Sequence, residues 1–379
     1  MNRVEQLAAL GQSIWLDFIR RDLLHNGELE RLIALGLRGM TSNPTIFEKA
    51  IDGSDAYDAA IRRFGPVEDI HALYDALTWE DIRRAADLFL PVYEKAGGRD
   101  GFVSIEVSPL LARDTAATVA EARRIWKAVA RPNVMIKVPA TLAGLPAIRT
   151  LIAEGLNINV TLIFSLTRYE AVIDAFWSGL EDRARSGQPV SPVASVASFF
   201  VSRLDTLVDK LLDAEAARDP GRAADLRQLA GRAAVANAQL AYERFQQSLA
   251  SPRVQELRRL GAQVQRPLWA STSTKNPAYP DLLYVDTLVG PDTVNTVPPA
   301  TWDAIMDHAA AVRTVDRDVS RAHATMEALA RAGIVMDAVT DQLEQEGVAA
   351  FEESFRTLMQ GLEKKARQVA AQARSAQPD

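Results

Sequence analysis

Short apolar runs alternate with longer amphipathic stretches along this chain. The runs Ser13–Phe18, Leu37–Ser42, Phe102–Val107, Val134–Val138, Asn157–Phe164, Val193–Val201, Pro267–Thr272 and Thr293–Val297 predict strands. Helical patterns lie between them. Thr78–Lys95 places Ile82, Ala85, Ala86 and Phe89 on one face and stops at Gly97-Gly98. Thr118 with Glu121, and Thr167 with Glu170, have capping-box spacing and predict two further helix starts. Eight strands with helical crossovers predict a parallel sheet, and eight is the number that closes a (β/α)8 TIM barrel. The whole chain of 379 residues is expected to form a single barrel domain with additions.

Two segments exceed that minimum. Residues from about 207 to 261 read as a helical insertion of two or three helices, broken at Asp219-Pro220-Gly221 and near Ser251-Pro252. Residues from about 322 to 372 read as C-terminal helices packed on the barrel. There Val348, Phe351, Phe355, Leu358 and Leu362 recur at helical spacing, an apolar stripe that must dock on the outside or the rim of the barrel. Ser375–Asp379 reads as a frayed tail.

Side chains alternate across a strand, so parity sorts the polar residues. Lys137 lies opposite Ile136 and Val138, and Ser104 and Glu106 lie opposite Ile105 and Val107. Asn157, Asn159 and Thr161 oppose Ile158, Val160 and Leu162, and Asp17 opposes Leu16 and Phe18. In each strand an apolar face suited to packing under helices is backed by a polar one, which in a barrel is the interior. Barrels built for stability alone fill that interior with branched aliphatics. This chain puts Asp17, Asn43, Glu106, Lys137, Asn159, Thr161 and Ser198 at or near strand ends. Each buried polar group left unpaired costs on the order of 1–3 kcal/mol, so such a set requires a mutual network or a task.

Lys137 is the most informative of them. A lysine in a buried strand either snorkels or pairs, or it loses part of its preference for the protonated state and can attack a carbonyl. The resulting iminium is an electron sink for breaking a neighbouring carbon–carbon bond. A carboxylate can take a hydroxyl proton during cleavage. A second carboxylate with a hydroxyl can hold the water that forms and hydrolyses the imine. Singly, Asp17 could be a cap, Asn43 before Pro44 a turn residue, and Ser198 a satisfied core hydroxyl. Arg203 and Lys275 follow the sixth and seventh strands, where such barrels place phosphate sites, although Arg203 could instead pair with Asp205 or Asp209.

Composition narrows the classes. A net charge of −6 argues against a nucleic-acid partner. With no cysteine, disulfides, thiol catalysis and thiolate metal sites are impossible. The histidines His25, His71, His308 and His323 fall in no metal-ligand spacing, so no metal is expected. No run approaches eighteen apolar residues and the N-terminus lacks a signal-peptide core, so a soluble, cytoplasmic protein with no membrane partner is expected.

Five segments together resemble the transaldolases, in their longer bacterial and plant-type branch: Thr41-Ser42-Asn43-Pro44-Thr45, Val103–Val107, Ile136–Thr141, Asn157–Ser165 and Ser271–Pro277. The resemblance covers about residue 10 to the C-terminus. It implies a (β/α)8 barrel in the pentose phosphate pathway that needs no cofactor. The reaction implied moves a dihydroxyacetone unit from sedoheptulose 7-phosphate to glyceraldehyde 3-phosphate, giving erythrose 4-phosphate and fructose 6-phosphate. By motif position, it makes Lys137 the Schiff-base lysine and Asp17 the proton acceptor and donor at the C4 hydroxyl. Glu106 and Thr161 would handle water; Asn43, Asn159 and Ser198 would contact the dihydroxyacetone moiety. Arg203 matches a phosphate-binding arginine, and Lys275 stands where shorter relatives carry a second one, which a lysine cannot copy as a bidentate fork. Two other readings stand beside this one. A fructose 6-phosphate aldolase would release free dihydroxyacetone; related aldolases lack the carboxylate at the position of Glu106 and place their water with a phenol. A non-catalytic sugar-phosphate-binding barrel would bind substrate without a covalent bond.

Overall fold

Eight parallel strands close on themselves in chain order: β1 (Gln12–Asp17), β2 (Gly39–Thr41), β3 (Phe102–Glu106), β4 (Val134–Pro139), β5 (Ile158–Ile163), β6 (Ser195–Phe200), β7 (Gln265–Ala270) and β8 (Thr293–Val297). Each coincides with a predicted run, and helices separate them, so the architecture is a (β/α)8 barrel. This computed structural model describes residues 1–375; positions 376–379, most of the expected frayed tail, lie outside the described residues. Ile14, Leu16, Ile105, Val107, Ile136, Val138, Ile158 and Val160 are all buried on the outer strand faces. The helix Leu166–Arg185 covers part of that surface with Tyr169, Val172, Phe176 and Leu180, one stripe at helical spacing. Among the described residues no helix is long and apolar enough to cross a membrane.

The predicted helix starts need correction. The helix expected from Thr78 begins at Ile70, capped by Asp69, and the Thr78 hydroxyl instead donates to the Tyr74 carbonyl within it. Neither capping box forms. Asp114 caps the helix Thr115–Val129 and Ser165 caps Leu166–Arg185, accepting from the Ala117 and Arg168 amides respectively. Glu121 and Glu170 pair with Arg124 and Arg244 instead. Threonine and glutamate three apart also share a face inside a helix, and the Asp and Ser ahead of each apolar register are better placed to satisfy the first free amides.

Between β6 and β7 lie four helices, Ser202–Arg218, Ala223–Arg227, Ala233–Leu249 and Pro252–Arg259, rather than two or three. The breaks fall where Asp219-Pro220-Gly221 and Ser251-Pro252 placed them, with one more ahead of Ala233.

The C-terminal helix Met336–Ser375 runs for 40 residues and crosses the barrel at the end where the strands finish. Its stripe of Val348, Phe351, Phe355, Leu358 and Leu362 is buried as expected. Each such side chain contributes about 1.5–3 kcal/mol on full burial. The ion pairs Arg168–Glu344 (3.2 Å), Arg113–Glu352 (3.1 Å) and Lys365–Asp58 (3.3 Å) fasten the helix to a loop and to the starts of two helices around the rim. Pairs of this kind, when exposed, add only about 0–1 kcal/mol each, so the apolar stripe holds this helix down. Gly347 lets it settle: a Cβ there would stand 3.0 Å from Leu162 and close to the Phe164 ring.

Candidate active site

Parity and register set the chemistry at the C-terminal ends of the strands. Glu106 on β3 pairs in register with Lys137 on β4, and Lys137 with Asn159 on β5. Asp17 closes β1 beside Thr41 of β2, whose hydroxyl donates to the Asp17 carboxylate at 2.7 Å. The alternation on β5 holds only as far as Thr161. Leu162 has φ of 58°, and the register with β6 shifts between Val160 and Ile163. A left-handed leucine is strained, and a bulge of this kind re-aims neighbouring side chains beside functional sites.

A cavity of about 210 Å³ opens inside the mouth of the barrel. Asp17, Asn43, Lys137, Thr161, Ser198, Arg203 and Lys275 all line it. Glu106 and Asn159 do not. Asn159 is fully buried between two hydroxyls, donating to Ser104 Oγ at 3.0 Å and accepting from Ser198 at 2.7 Å, so Ser198 stands between it and the cavity. Glu106 lies behind the lysine, at the edge of a separate space of about 50 Å³.

The Lys137 side chain is only 6% exposed. Its amine donates to the Ser42 carbonyl at 3.3 Å and lies 3.7 Å from the Glu106 carboxylate, too long for a good hydrogen bond. Both Glu106 carboxylate oxygens and the Thr161 hydroxyl are buried without a hydrogen-bond partner among the described residues. Burial pushes Glu106 up to about 7; the Lys137 ammonium pulls against this and the Asp17 carboxylate adds to it. Near neutrality Glu106 therefore populates both its charged and its neutral form. Asn43 caps the helix Pro44–Asp52, accepting from the Ile46 amide at 2.9 Å, and also borders the cavity, so the turn and substrate readings of this residue coexist.

Cations occupy the opposite side. Arg203 sits over the Phe200 ring, 5.5 Å from its centroid, and forms no ion pair with Asp205 or Asp209. Burial lowers its pKa from the ordinary value, with Glu346 opposing, and a guanidinium remains charged regardless. Lys275 is exposed and donates to Ser273 at 3.0 Å. Among the described residues no group of three or more His, Asp or Glu is placed to hold a metal ion.

Three residues at the site were not among those the sequence singled out for it. Thr41 orients Asp17, and its place in the Thr41–Thr45 segment was the available signal. Phe200 follows Ser198 on the inward face of β6, which parity alone would have placed. Phe351 of the C-terminal helix lies 6.0 Å from the Lys137 amine, and nothing in its apolar stripe marks it off from a core residue.

A family model described as Transaldolase/Fructose-6-phosphate aldolase matches residues 14–362. The chain is 51% identical over 361 residues to a transaldolase of Acidothermus cellulolyticus, covering 93% of this chain and 94% of that one. It is 49% identical to a transaldolase of Thermobifida fusca (97% and 98% covered) and 44% identical to one of Trichodesmium erythraeum (97% and 98%). The barrel, the lysine at its mouth and relatives of full length agree, and the chain belongs to the transaldolase/fructose-6-phosphate aldolase family.

Proposed function

We propose that this protein is a transaldolase of the pentose phosphate pathway, acting in the cytoplasm on phosphorylated sugars. The observation that carries the reading is the placement of the Lys137 amine: buried, lining the cavity, and 3.7 Å from a carboxylate that titrates near neutrality.

Glu106 takes the ammonium proton, and the free amine of Lys137 adds to the C2 ketone of sedoheptulose 7-phosphate. Loss of the C2 oxygen as water, with Glu106 and Thr161 handling that water through their unused hydrogen-bonding capacity, leaves an iminium. Asp17, held by Thr41, takes the C4 hydroxyl proton as the C3–C4 bond breaks. The electron pair passes into the iminium, erythrose 4-phosphate leaves, and a dihydroxyacetone enamine stays on Lys137. Asn43 and Ser198, the latter fixed by the fully buried Asn159, contact its hydroxyls. Glyceraldehyde 3-phosphate then accepts the carbon, Asp17 returns its proton, and water releases fructose 6-phosphate. Arg203 and Lys275 hold the phosphates, the arginine as the more constrained donor.

The same fold and lysine serve an aldolase, and the presence of Glu106 in register with Lys137 favours the transferase. Product analysis separates the two. With fructose 6-phosphate alone the protein should release little dihydroxyacetone, and adding erythrose 4-phosphate should give sedoheptulose 7-phosphate. Rapid dihydroxyacetone release without any acceptor would make it an aldolase.

A further inference from the structure

Apart from Arg203 in their first turn, the helices between β6 and β7 have no part in the reading above, yet they touch the loop that carries Lys275. That loop leaves β7 at Ser271 and is anchored at its root: the Ser271 carbonyl accepts from the Ser202 amide at 3.0 Å, and Thr272 donates to Asn295 at 2.8 Å and to the Thr296 carbonyl at 3.0 Å. From Ser273 to Ala278 its hydrogen bonds among the described residues are internal. Lys275 reaches Ser273, the Ala278 amide reaches the Asn276 side chain at 2.9 Å, and the Asn276 carbonyl accepts from the Tyr279 amide at 3.1 Å. The next external anchor is the Tyr279 hydroxyl, which donates to Asp209 at 2.6 Å.

Asp209 belongs to the helix Ser202–Arg218, the same helix whose first turn supplies Arg203. Its other carboxylate oxygen accepts from the Gly231 amide at 2.9 Å. Gly231 has φ of 70°, and a Cβ there would stand 2.8 Å from the Tyr279 ring. The phenol is therefore held at its hydroxyl by Asp209 and along its ring by a bare glycine backbone. Next to it, Tyr284 donates to Asp205 at 2.8 Å, and Asp205 accepts from the Ala234 amide, which ties the following segment to the same helices.

We propose that Asp209 and Tyr279 are positioning residues that hold the loop Ser273–Ala278 so that Lys275 and Arg203 face one phosphate across the cavity. A flexible lysine on a loop anchored only at its root, through Ser271 and Thr272, would spend little time at the phosphate, since its binding would have to order the loop as well. With Tyr279 clamped to the helix that also carries Arg203, both cations are referred to one rigid element. The segment between β6 and β7 thereby supplies, by bracing, part of what a second arginine would supply by its forked geometry.

The inference rests on Lys275 being a phosphate cation, and the test separates the two claims. The readout is KM for glyceraldehyde 3-phosphate against KM for unphosphorylated glyceraldehyde, at saturating donor, in the full chain. Lys275→Ala should raise the first roughly tenfold and leave the second. Tyr279→Phe and Asp209→Ala should each raise it by a similar factor with kcat little changed. Borohydride trapping of dihydroxyacetone on Lys137 should stay as in the parent protein. Tyr279→Phe combined with Lys275→Ala should be no worse than Lys275→Ala. A shift in Lys275→Ala without one in Tyr279→Phe overturns the bracing, as does a double variant whose losses multiply. No shift in Lys275→Ala removes the phosphate role itself and the bracing with it.

Discussion

Two charge pairs, one buried and one largely so, occupy opposite ends of this barrel at the same separation, and their surroundings differ in kind. At the floor, Arg266 of β7 lies 3.7 Å from Asp100; at the mouth, Lys137 lies 3.7 Å from Glu106. The floor is saturated. Asp100 accepts from the Trp15 indole at 2.8 Å and from the Ser13 hydroxyl, while Arg266 donates to Ser13, the Thr293 carbonyl and the Arg99 carbonyl. At the mouth, by contrast, neither oxygen of Glu106 finds a hydrogen-bond donor among the described residues, and the amine has one long contact with a backbone carbonyl. A buried charge whose partners are all internal is structural. One whose bonding capacity the protein leaves unspent is available to a substrate, and the unmet cost of burial goes into shifting its proton affinity.

The strongest way to break this comparison is at Lys137. Lys137→Ala should lower kcat by on the order of 10⁴-fold or more, as loss of a covalent nucleophile does. It should change unfolding free energy by less than about 2 kcal/mol. With the ammonium gone Glu106 takes up a proton, so no uncompensated charge is left buried. Steady-state kinetics and urea unfolding check both halves; unfolding of the variant would make the mouth structural too.

At the floor the expectation reverses. Asp100→Ala removes the counter-charge of Arg266, which keeps its other three acceptors, and leaves the Trp15 indole and the Ser13 hydroxyl without their acceptor; it should cost about 3 kcal/mol of stability. In the fraction that remains folded, KM should be near that of the parent. A stable but inactive Asp100→Ala protein would remove the distinction between the two ends.

Glu106→Gln sharpens the comparison. It should slow imine formation and hydrolysis by about 10²-fold, and more than it slows carbon–carbon cleavage. The pH profile of imine formation should inflect near the value of about 7 to which burial pushes this carboxyl, and lose that inflection in the variant. The folded value lies above the ordinary 4.5, so the folded state binds this proton more tightly than the unfolded chain. The group's contribution to stability is thus complete below that ordinary value and is lost as pH rises through the folded one. The unfolding temperature of Glu106→Gln should accordingly fall less than that of the parent protein between about pH 5 and about pH 8. Equal slowing of every catalytic step would deny Glu106 its role with water. The smallest effect is at Lys275, where Lys275→Ala should cost about tenfold in KM for phosphorylated substrates, because one exposed cation is lost while Arg203 remains.

The mouth was far more legible in the sequence than the floor. Lys137, Glu106 and Asp17 interrupt runs that are otherwise apolar on alternate positions, and a two-residue period exposes such anomalies strand by strand. Ser13, Asp100 and Arg266 meet across the barrel from distant parts of the chain, and no local pattern announces that contact. The bulge at Leu162 was hidden for a related reason: it is imposed by the register with β6, while the local sequence still alternates. Helix starts were misread at Thr118 and Thr167 because the capping-box spacing is also an interior spacing. That the C-terminal stripe crosses the mouth, bringing Phe351 to Lys137, follows from packing on the helices around the rim rather than from periodicity.

The central claim is a covalent bond between the Lys137 amine and a ketose. Borohydride reduction in the presence of fructose 6-phosphate, followed by peptide mapping, tests it directly. The account predicts one modified site, Lys137 in the segment Val134–Pro139, with a mass increase of a reduced dihydroxyacetone unit. Label on Lys275 or another lysine, or no label in protein that turns over substrate, would contradict it.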